Sequence, residues 1–149
     1  MPDADFNLSE FLPYLLNQAA DRQSMAFSPA YRARYGMLRT EWRVLFHLGQ
    51  YGEMTAKRIC EMAQLHKTKA SRAVAALEAK RFLRRREVAE DRRHALLRLT
   101  PAGRAAYAHL YDAARAFDME VQTRLTVEDA RVLKRCLIKL AASEDAGGP

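Results

Sequence analysis

The stretch that most constrains the fold is LRRREVAEDRRHALLRLTPAG, residues 83–103. Residues 83–88 and 95–99 are each short enough for a β-strand, and residues 89–93 between them form a charged turn. Thr100 is a good helix N-cap, and the proline that follows it is favoured at the first position of a helix. The stretch therefore predicts a β-hairpin whose second strand leads directly into a new helix.

Three helices are predicted directly before this hairpin. Thr40 is the expected N-cap of the first, which should end at Gly49 and Gly52 because glycine is common just past a helix end. Thr55 is the expected cap of a short second helix, and a third should begin near Lys67. A short helix, a tight turn and a second helix form a helix-turn-helix, so together with the hairpin the pattern predicts a winged helix-turn-helix.

The third helix has two different faces. Its apolar side chains at helical spacing predict a buried face, at Ala70, Val74 and Leu77. The opposite face carries Thr68, Ser71 and Arg72, with Lys67 and Lys69 beside them. Small polar residues let a helix approach a groove floor closely, and lysine or arginine can reach guanine or a phosphate. These five residues are therefore the predicted DNA contacts of the helix.

The net charge supports the same interpretation. Residues 51–100 hold 13 Lys/Arg and six Asp/Glu, whereas the segments on either side are neutral. The whole excess of +7 therefore lies in the predicted winged helix-turn-helix. A concentrated basic region is the electrostatic footprint of a polyanion partner, although a solvated basic face has the same composition.

The hairpin supplies four further predicted DNA contacts, Arg84, Arg86, Arg92 and Arg93. The last two lie in the turn, and arginine is attracted to the negative potential of a narrow minor groove. Asp91 precedes them although its charge opposes DNA binding. We interpret Asp91 as a clasp on the neighbouring guanidinium groups that stabilises the tip of the hairpin; a simple role as a turn former is the alternative.

Apolar stripes in the outer segments predict dimerisation helices. Residues 8–36 contain one helical pattern, over residues 11–25, and residues 101–142 contain two, the second capped by Thr126. These segments are electrically neutral and too long merely to cover a small winged domain, so we expect them to pair with a second copy of the chain. The predicted fold class is mainly α, with a two-stranded β wing and dimerisation helices at both ends.

Several ordered motifs resemble the MarR family of winged helix-turn-helix regulators. DRRHALLRLT matches the family's wing pattern, and KTKASRAVAALEAKRFLRRR matches its recognition helix and first wing strand. TEWRVLFHLGQYGEMTAKRICEMAQ and FLPYLL match the helices before them, so the likeness covers residues 8–142. The chain departs from the family pattern at Arg58, His66 and Arg81, where an acidic residue, an aspartate cap and a glycine are common.

The resemblance implies one domain over residues 1–149, with a DNA-binding lobe at residues 40–100. It implies a homodimer that binds double-stranded DNA at a pseudo-palindromic operator, usually as a repressor. It also implies release by a small ligand bound between the dimerisation helices and the winged lobe. Trp42 and Phe46 share a helix face that Phe11, Tyr14 and Arg43 are expected to approach, which would suit an aromatic acid. The alternative is that these aromatic residues simply belong to the core.

Other functions find less support in the sequence. The four histidines lie in separate predicted elements and no catalytic motif is present, so we expect no enzyme activity and no cofactor. A thiol-responsive or metal-responsive regulator of the same fold is the alternative function. Cys60 and Cys136 are interpreted as small core residues, and no metal site is expected. No apolar run suits a membrane span and the N-terminus lacks a signal sequence, so a cytoplasmic protein is expected.

Overall fold

The computed structural model describes residues 5–88 and 95–142 of a mainly helical chain. After a 3-10 turn at Leu8–Glu10, the α-helices are α1 (Leu12–Phe27), α2 (Pro29–Tyr35), α3 (Arg39–Tyr51), α4 (Ala56–Ala63), α5 (Lys67–Ala79), α6 (Pro101–Gln122) and α7 (Val127–Ala141). The strands are β1 (Met54–Thr55), β2 (Leu83–Arg86) and β3 (Leu96–Leu99). The chain divides into two compact units, Met1–Tyr111 and Asp112–Pro149.

The predicted hairpin is present, and it belongs to a three-stranded antiparallel sheet in the order β1-β3-β2. Leu83 pairs with Leu99, and Arg84 pairs with Arg98. Strand β2 ends at Arg86, two residues before the predicted end. The third strand, β1, was not predicted because two residues are too few to show an alternating pattern.

The core of the first unit lies where α3, α4 and α5 pack against the sheet. Apolar side chains from all of these elements are fully buried, among them Val44, Leu45, Ile59, Val74, Leu77, Leu83 and Leu97. The apolar face predicted for the third helix is therefore confirmed. Because that face is buried, the opposite face of α5 is left in solvent, and this fixes which side chains are available for a partner.

Helix α3 starts and ends differently from the prediction. It begins at Arg39, so Thr40 lies inside the helix and is not its N-cap; the Glu41 carboxylate accepts a hydrogen bond from the backbone N–H of Leu38 (3.2 Å). The helix ends at Tyr51 with Gly52 as its C-cap, as predicted, but Gly49 lies within it. A Cβ at Gly49 would overlap the ring of Tyr107, so this glycine permits close packing and does not end the helix.

Two helices, and not the single one predicted, precede α3. Helix α1 ends at Phe27, and Pro29 occupies the first position of α2. Proline is favoured there because its fixed φ suits a helix and its missing N–H would be unpaired anyway. Gly36 then ends α2 in the left-handed conformation, with φ of 61°. This helix was not predicted because it has only seven residues, from Pro29 to the residue before Gly36.

A hydrogen-bonded junction joins the recognition helix, the wing and α6, and we call it the wing junction: Arg81, Phe82, Thr100 and Gly103. The Thr100 hydroxyl donates to the carbonyl of Arg81 (2.7 Å) and accepts from the N–H of Gly103 (3.0 Å). The N–H of Thr100 donates to the carbonyl of Phe82 (3.0 Å). Arg81, at the position where the resembled family often has glycine, adopts the left-handed conformation with φ of 63°, which costs a residue other than glycine about 1 kcal/mol.

The remaining predicted helix starts are confirmed. Helix α6 begins at Pro101, and the Thr126 hydroxyl accepts a hydrogen bond from the N–H of Asp129 (3.0 Å) at the start of α7. Among the helices in the described residues, none is long and apolar enough to cross a membrane.

Candidate nucleic-acid interface

Side-chain caps hold the starts of α4 and α5, the two helices of the helix-turn-helix. The Thr55 hydroxyl accepts from the N–H of Arg58 (3.1 Å) at the start of α4, as predicted. Gln64 ends α4 in the left-handed conformation, with φ of 51°. His66 then caps α5, because its Nδ1 accepts from the N–H of Thr68 (3.2 Å). The histidine therefore performs the capping role that aspartate commonly has in the family that the chain resembles.

The predicted contact residues of α5 lie together on its exposed face. Lys67, Thr68, Lys69, Ser71 and Arg72 are all exposed. They occupy the first two turns, while Ala70, Ala73, Val74 and Leu77 are buried beneath them. The arrangement places two hydroxyl groups and three cations on one helical surface, and side chains of these types can bond to base edges and phosphates in a major groove.

The arginines of strand β2 differ in how they are held. The Nε of Arg85 donates to Glu78 (3.0 Å), and the Nε of Arg86 donates to Glu53 (3.2 Å). The hydrogen bond that Arg86 donates to Glu53, more than the negative charge of Glu53, raises the pKa of the Arg86 guanidinium. Arg84 is exposed and has no ion pair within the described residues. Of the two arginines predicted to contact DNA from this strand, Arg84 is therefore the one whose charge is not paired by another described residue.

The predicted tip of the wing lies outside the described residues. Asp91, Arg92 and Arg93 all fall between residues 88 and 95. The proposed carboxylate clasp and the minor-groove contact of the two arginines therefore stay predictions.

A partly buried ion pair that was not predicted fixes the C-terminal end of the recognition helix. Lys80 Nζ donates to the carboxylate of Glu41 (3.0 Å), which is only 5% exposed. Glu41 also accepts from the N–H of Leu38. From the sequence alone, Glu41 is simply an acidic residue in the first turn of a helix, where the helix dipole favours a negative charge. Its second partner lies 39 residues away, and a pairing of that range has no local signal in the sequence.

Lys80→Met should lower the free energy of unfolding by about 1–3 kcal/mol, because the buried carboxylate of Glu41 loses its cation while it keeps one backbone donor. Chemical denaturation measures the change. Arg58→Met is the matched control, since Arg58 pairs with Glu61 while the two side chains are 62% and 53% exposed. An exposed pair of this kind contributes less than about 0.5 kcal/mol. Equal losses in the two variants would show that burial of Glu41 has no energetic importance.

The residues predicted to bind a ligand do not all meet in the described structure. Trp42 and Phe46 pack edge to face, with ring centroids 5.0 Å apart. The other rings against Trp42 come from Phe27 and Tyr31, with centroids at 5.3 and 5.7 Å. Tyr107 packs on Phe46. The aromatic cluster exists, but Phe27, Tyr31 and Tyr107 were not predicted to belong to it, and their packing is that of a core.

Phe11 and Tyr14 have other neighbours. The ring of Phe11 packs against that of Phe6 (5.2 Å between centroids), and the Tyr14 hydroxyl accepts from Gln18 (2.8 Å). Both side chains are exposed. Both rings were predicted to approach Trp42, but among the described residues neither ring packs against it.

Arg43 does not reach towards the aromatic cluster as predicted. Its Nη2 donates to the backbone carbonyl of Ala63 (2.6 Å) at the end of α4. Burial, and to a smaller extent the charge of Arg39, lowers the pKa of Arg43. The guanidinium therefore ties α3 to α4 and satisfies a carbonyl that the helix leaves unpaired. This correction removes Arg43 from the candidate ligand site.

The cysteines were predicted to be small core residues, and the structure agrees only in part. Cys60 is half-buried, whereas Cys136 is exposed in the single chain. Exposure of Cys136 contradicts its assignment to a core. Across residues 5–88 and 95–142, no three side chains of His, Cys, Asp or Glu lie close enough together to hold a metal ion.

Comparisons with known proteins agree with this geometry. The sequence model of the MarR family matches residues 35–94. The HTH-type transcriptional regulator YwaE of Bacillus subtilis is 25% identical over 142 residues, which are 95% of this chain and 83% of that protein.

Solved structures share the fold. A MarR-family transcriptional regulator from Silicibacter pomeroyi matches with a TM-score of 0.77 and 26% identity, over 100% of both chains. BpsR from Bordetella bronchiseptica, whose DNA binding is regulated by 6-hydroxynicotinic acid, matches with a TM-score of 0.85. That likeness covers 95% of this chain and 100% of BpsR, and at 20% identity it supports the fold alone. The predicted winged helix-turn-helix fold is confirmed.

Proposed function

Because this chain belongs to the MarR family of DNA-binding transcriptional regulators, we propose that it acts as a homodimeric repressor of a pseudo-palindromic operator. The observation that carries the proposal is the exposed face of α5, where Thr68, Ser71 and Arg72 stand between Lys67 and Lys69. The buried side of the same helix leaves this face as the one that can enter a groove.

Each part of the interface has a separate role in this proposal. Arg72 makes a base contact from the major groove, and the two lysines bind phosphates at the start of the helix. Arg84, together with Arg86 once it exchanges Glu53 for a phosphate, contacts the backbone beside the wing. Arg92 and Arg93 enter the minor groove, held by Asp91.

Exposed apolar side chains on α7 support the proposed dimer. Leu133, Leu137 and Leu140 follow one helical stripe and are exposed in the single chain. Contiguous exposed apolar side chains mark contact surfaces, and a two-fold dimer is the commonest assembly that buries such a surface. Two recognition helices related in this way read half-sites about 34 Å apart on DNA, which requires a pseudo-palindrome.

Release by a small aromatic acid is the regulatory part of the proposal. BpsR has the same fold, and 6-hydroxynicotinic acid regulates its DNA binding. In this chain, Trp42 and Phe46 offer ring surfaces, and Phe11 and Tyr14 are exposed aromatic side chains that a dimer would bring into new surroundings. Arg43 is not part of this proposed site, because its guanidinium donates a hydrogen bond to the carbonyl of Ala63.

Arg72→Ala should weaken operator binding by about 1–3 kcal/mol, which is roughly 5- to 150-fold in Kd. The substitution removes one base contact from an exposed position, so the fold should be unaffected. Gel-shift titrations on the DNA upstream of the protein's own gene measure the change. Titrations repeated with 6-hydroxynicotinic acid and related aromatic acids test the regulatory part.

Arg124→Ala serves as the control, since it removes another exposed arginine from the segment between α6 and α7. Its Kd should match that of the wild type. An Arg72→Ala protein that binds the operator as tightly as the control protein would refute the assignment of this helix face.

A further inference from the structure

The outer face of the wing sheet carries arginines, whereas its inner face is apolar. Side chains alternate along a strand, so Leu83 and Leu99, which pair across β2 and β3, both point into the core. Arg84 and Arg98 are the next pair in the register, and both are exposed on the other face. Directly opposed residues have Cβ atoms about 5 Å apart, and like charges at that separation destabilise a sheet. An anion bound by both arginines would remove this repulsion.

Arg104 continues this pair of arginines onto α6. It lies in the first turn of the helix, where its N–H donates to the carbonyl of Thr100 (2.8 Å), the residue that follows β3. Its side chain is exposed and borders the same cavity as Arg98. We call Arg84, Arg98 and Arg104 the outer arginine row, which leads from the edge strand β2 over the central strand β3 to α6.

The outer arginine row is not neutralised by the described residues. Other arginines of the sheet do have carboxylate partners: Arg85 pairs with Glu78. Arg86, which shares the outer face, pairs with Glu53. Across residues 5–88 and 95–142, no member of the row forms an ion pair. Three neighbouring cations without a counter-charge form a surface that attracts a polyanion.

The row lies on a different side of the DNA-binding lobe from the exposed face of α5. Val74 and Leu77 of α5 belong to the same core as Leu83 of the sheet. The predicted contacts at residues 67–72 point away from this core on the side of the helix, and the row points away from it on the side of the sheet. DNA that accepts α5 in its major groove can therefore meet the row only with a neighbouring stretch of the duplex.

We propose that the outer arginine row binds phosphates of the duplex that flanks the operator, and that this flanking DNA curves around the wing to reach it. Arginine suits this partner because its planar guanidinium donates two parallel hydrogen bonds to a phosphate. Each strand of a duplex presents a phosphate about every 3.4 Å along the axis, so a row of cations binds several of them at once. Arginine contacts to the backbone hold curved DNA without base contacts, and they offset the energy of deformation.

The path of the flanking DNA begins at Arg84. This arginine contacts the backbone beside the wing in the proposed function, on which the inference rests. Arg98 and Arg104 extend that contact away from the operator. Contacts to phosphates do not read base sequence, but pyrimidine–purine steps in the flanks should favour them because such steps bend easily.

Two duplexes separate the flanking contact from the operator contact. The short duplex contains only the pseudo-palindrome, and the long duplex adds about 15 base pairs on each side, which is roughly 50 Å of axis. In fluorescence anisotropy titrations at about 50 mM salt, the wild type should bind the long duplex roughly tenfold or more tightly than the short one.

Arg98→Gln and Arg104→Gln should each reduce this length advantage about threefold or more and leave the Kd for the short duplex unchanged. On the long duplex, each variant should also lower the slope of log affinity against log salt by about 1.8. Each substitution removes one phosphate contact, with a slope of about 0.9, from each of the two protomers.

Arg98→Lys and Arg124→Gln are the control variants. Arg98→Lys keeps the positive charge, so it should keep most of the length advantage. Arg124→Gln removes an exposed arginine outside the DNA-binding lobe, and it should match the wild type on both duplexes. Energy transfer between dyes on the two ends of the long duplex measures the curvature. It should rise when the wild type binds, and rise less with the double variant Arg98→Gln, Arg104→Gln.

Equal affinity of the wild type for the two duplexes, or a length advantage that survives in both glutamine variants, would overturn the inference and leave the operator contact intact. An equal loss of affinity for both duplexes would place these arginines within the operator and would also overturn it. Energy transfer that does not change when the wild type binds would refute the curvature. Failure of the proposed function has a different signature, since the wild type would then bind the operator and a random duplex of equal length with the same Kd.

Discussion

Gly103→Ala should lower the free energy of unfolding by about 3 kcal/mol or more, although alanine is ordinarily the better helix former by roughly 1 kcal/mol. A Cβ at this position would overlap the carbonyl oxygen of Phe82 and lie 2.9 Å from its carbonyl carbon. That carbonyl cannot move freely, because it accepts a hydrogen bond from the N–H of Thr100 (3.0 Å). The added methyl group therefore forces α6 and the wing apart or breaks this bond.

Gly49→Ala provides the comparison for this prediction. Gly49 is also inside a helix, and a Cβ there would also be too close to a neighbour, at 2.5 Å from Cγ of Tyr107. The obstacle is a half-buried side chain and not the backbone, so it can yield. Denaturant unfolding should rank Gly103→Ala as clearly the more destabilised protein. If Gly103→Ala is as stable as the wild type, the close approach at the wing junction is not a real constraint.

The double variant Leu133→Glu, Leu137→Glu should be a monomer that binds its operator on the order of 100-fold more weakly. Both leucines lie on the exposed stripe of α7, where they are 45% and 40% exposed in the single chain. Two charges buried in a dimer interface without partners oppose association strongly. Light scattering at micromolar concentration should give about 34 kDa for the wild type, twice the chain mass of 17.0 kDa, and the mass of one chain for the variant.

The control for the dimer is Arg135→Glu. Position 135 is exposed on the opposite side of α7 from the leucine stripe, so the same new side chain should leave the mass unchanged. A wild-type protein that scatters as a monomer would remove the basis for a two-fold operator. A variant that stays dimeric would place the interface elsewhere in the chain.

Local signals in the sequence predicted most of the winged helix. Thr55, Thr100 and Thr126 each cap the helix that follows, because capping depends on residues within three positions of one another. The faces of α5 followed from apolar spacing over a few turns. The departure from glycine at Arg81 marked a position that adopts the left-handed conformation in the structure.

The features that were missed depend on contacts between distant parts of the chain. Glu41 meets Lys80, and Arg43 meets Ala63, at separations that leave no periodic pattern. Gly49 resembled a helix end because glycine usually is one, but the ring of Tyr107 explains its presence inside α3. Trp42 and Phe46 lie four residues apart on one helix, so their shared face could be predicted. Phe27 and Tyr31 lie on other helices, and their contacts with Trp42 could not be predicted from the sequence.

The wing junction also has a mechanical consequence. The backbone carbonyl of Phe82 accepts a hydrogen bond from the N–H of Thr100, the residue before α6. The same carbonyl lies against Gly103 of α6, where it leaves no room for a Cβ. Helix α6 continues for 22 residues, so it is about 33 Å long. The start of α6 and the hairpin therefore share a fixed backbone contact. A shift of the first turn of α6 should therefore change the angle at which the wing meets DNA.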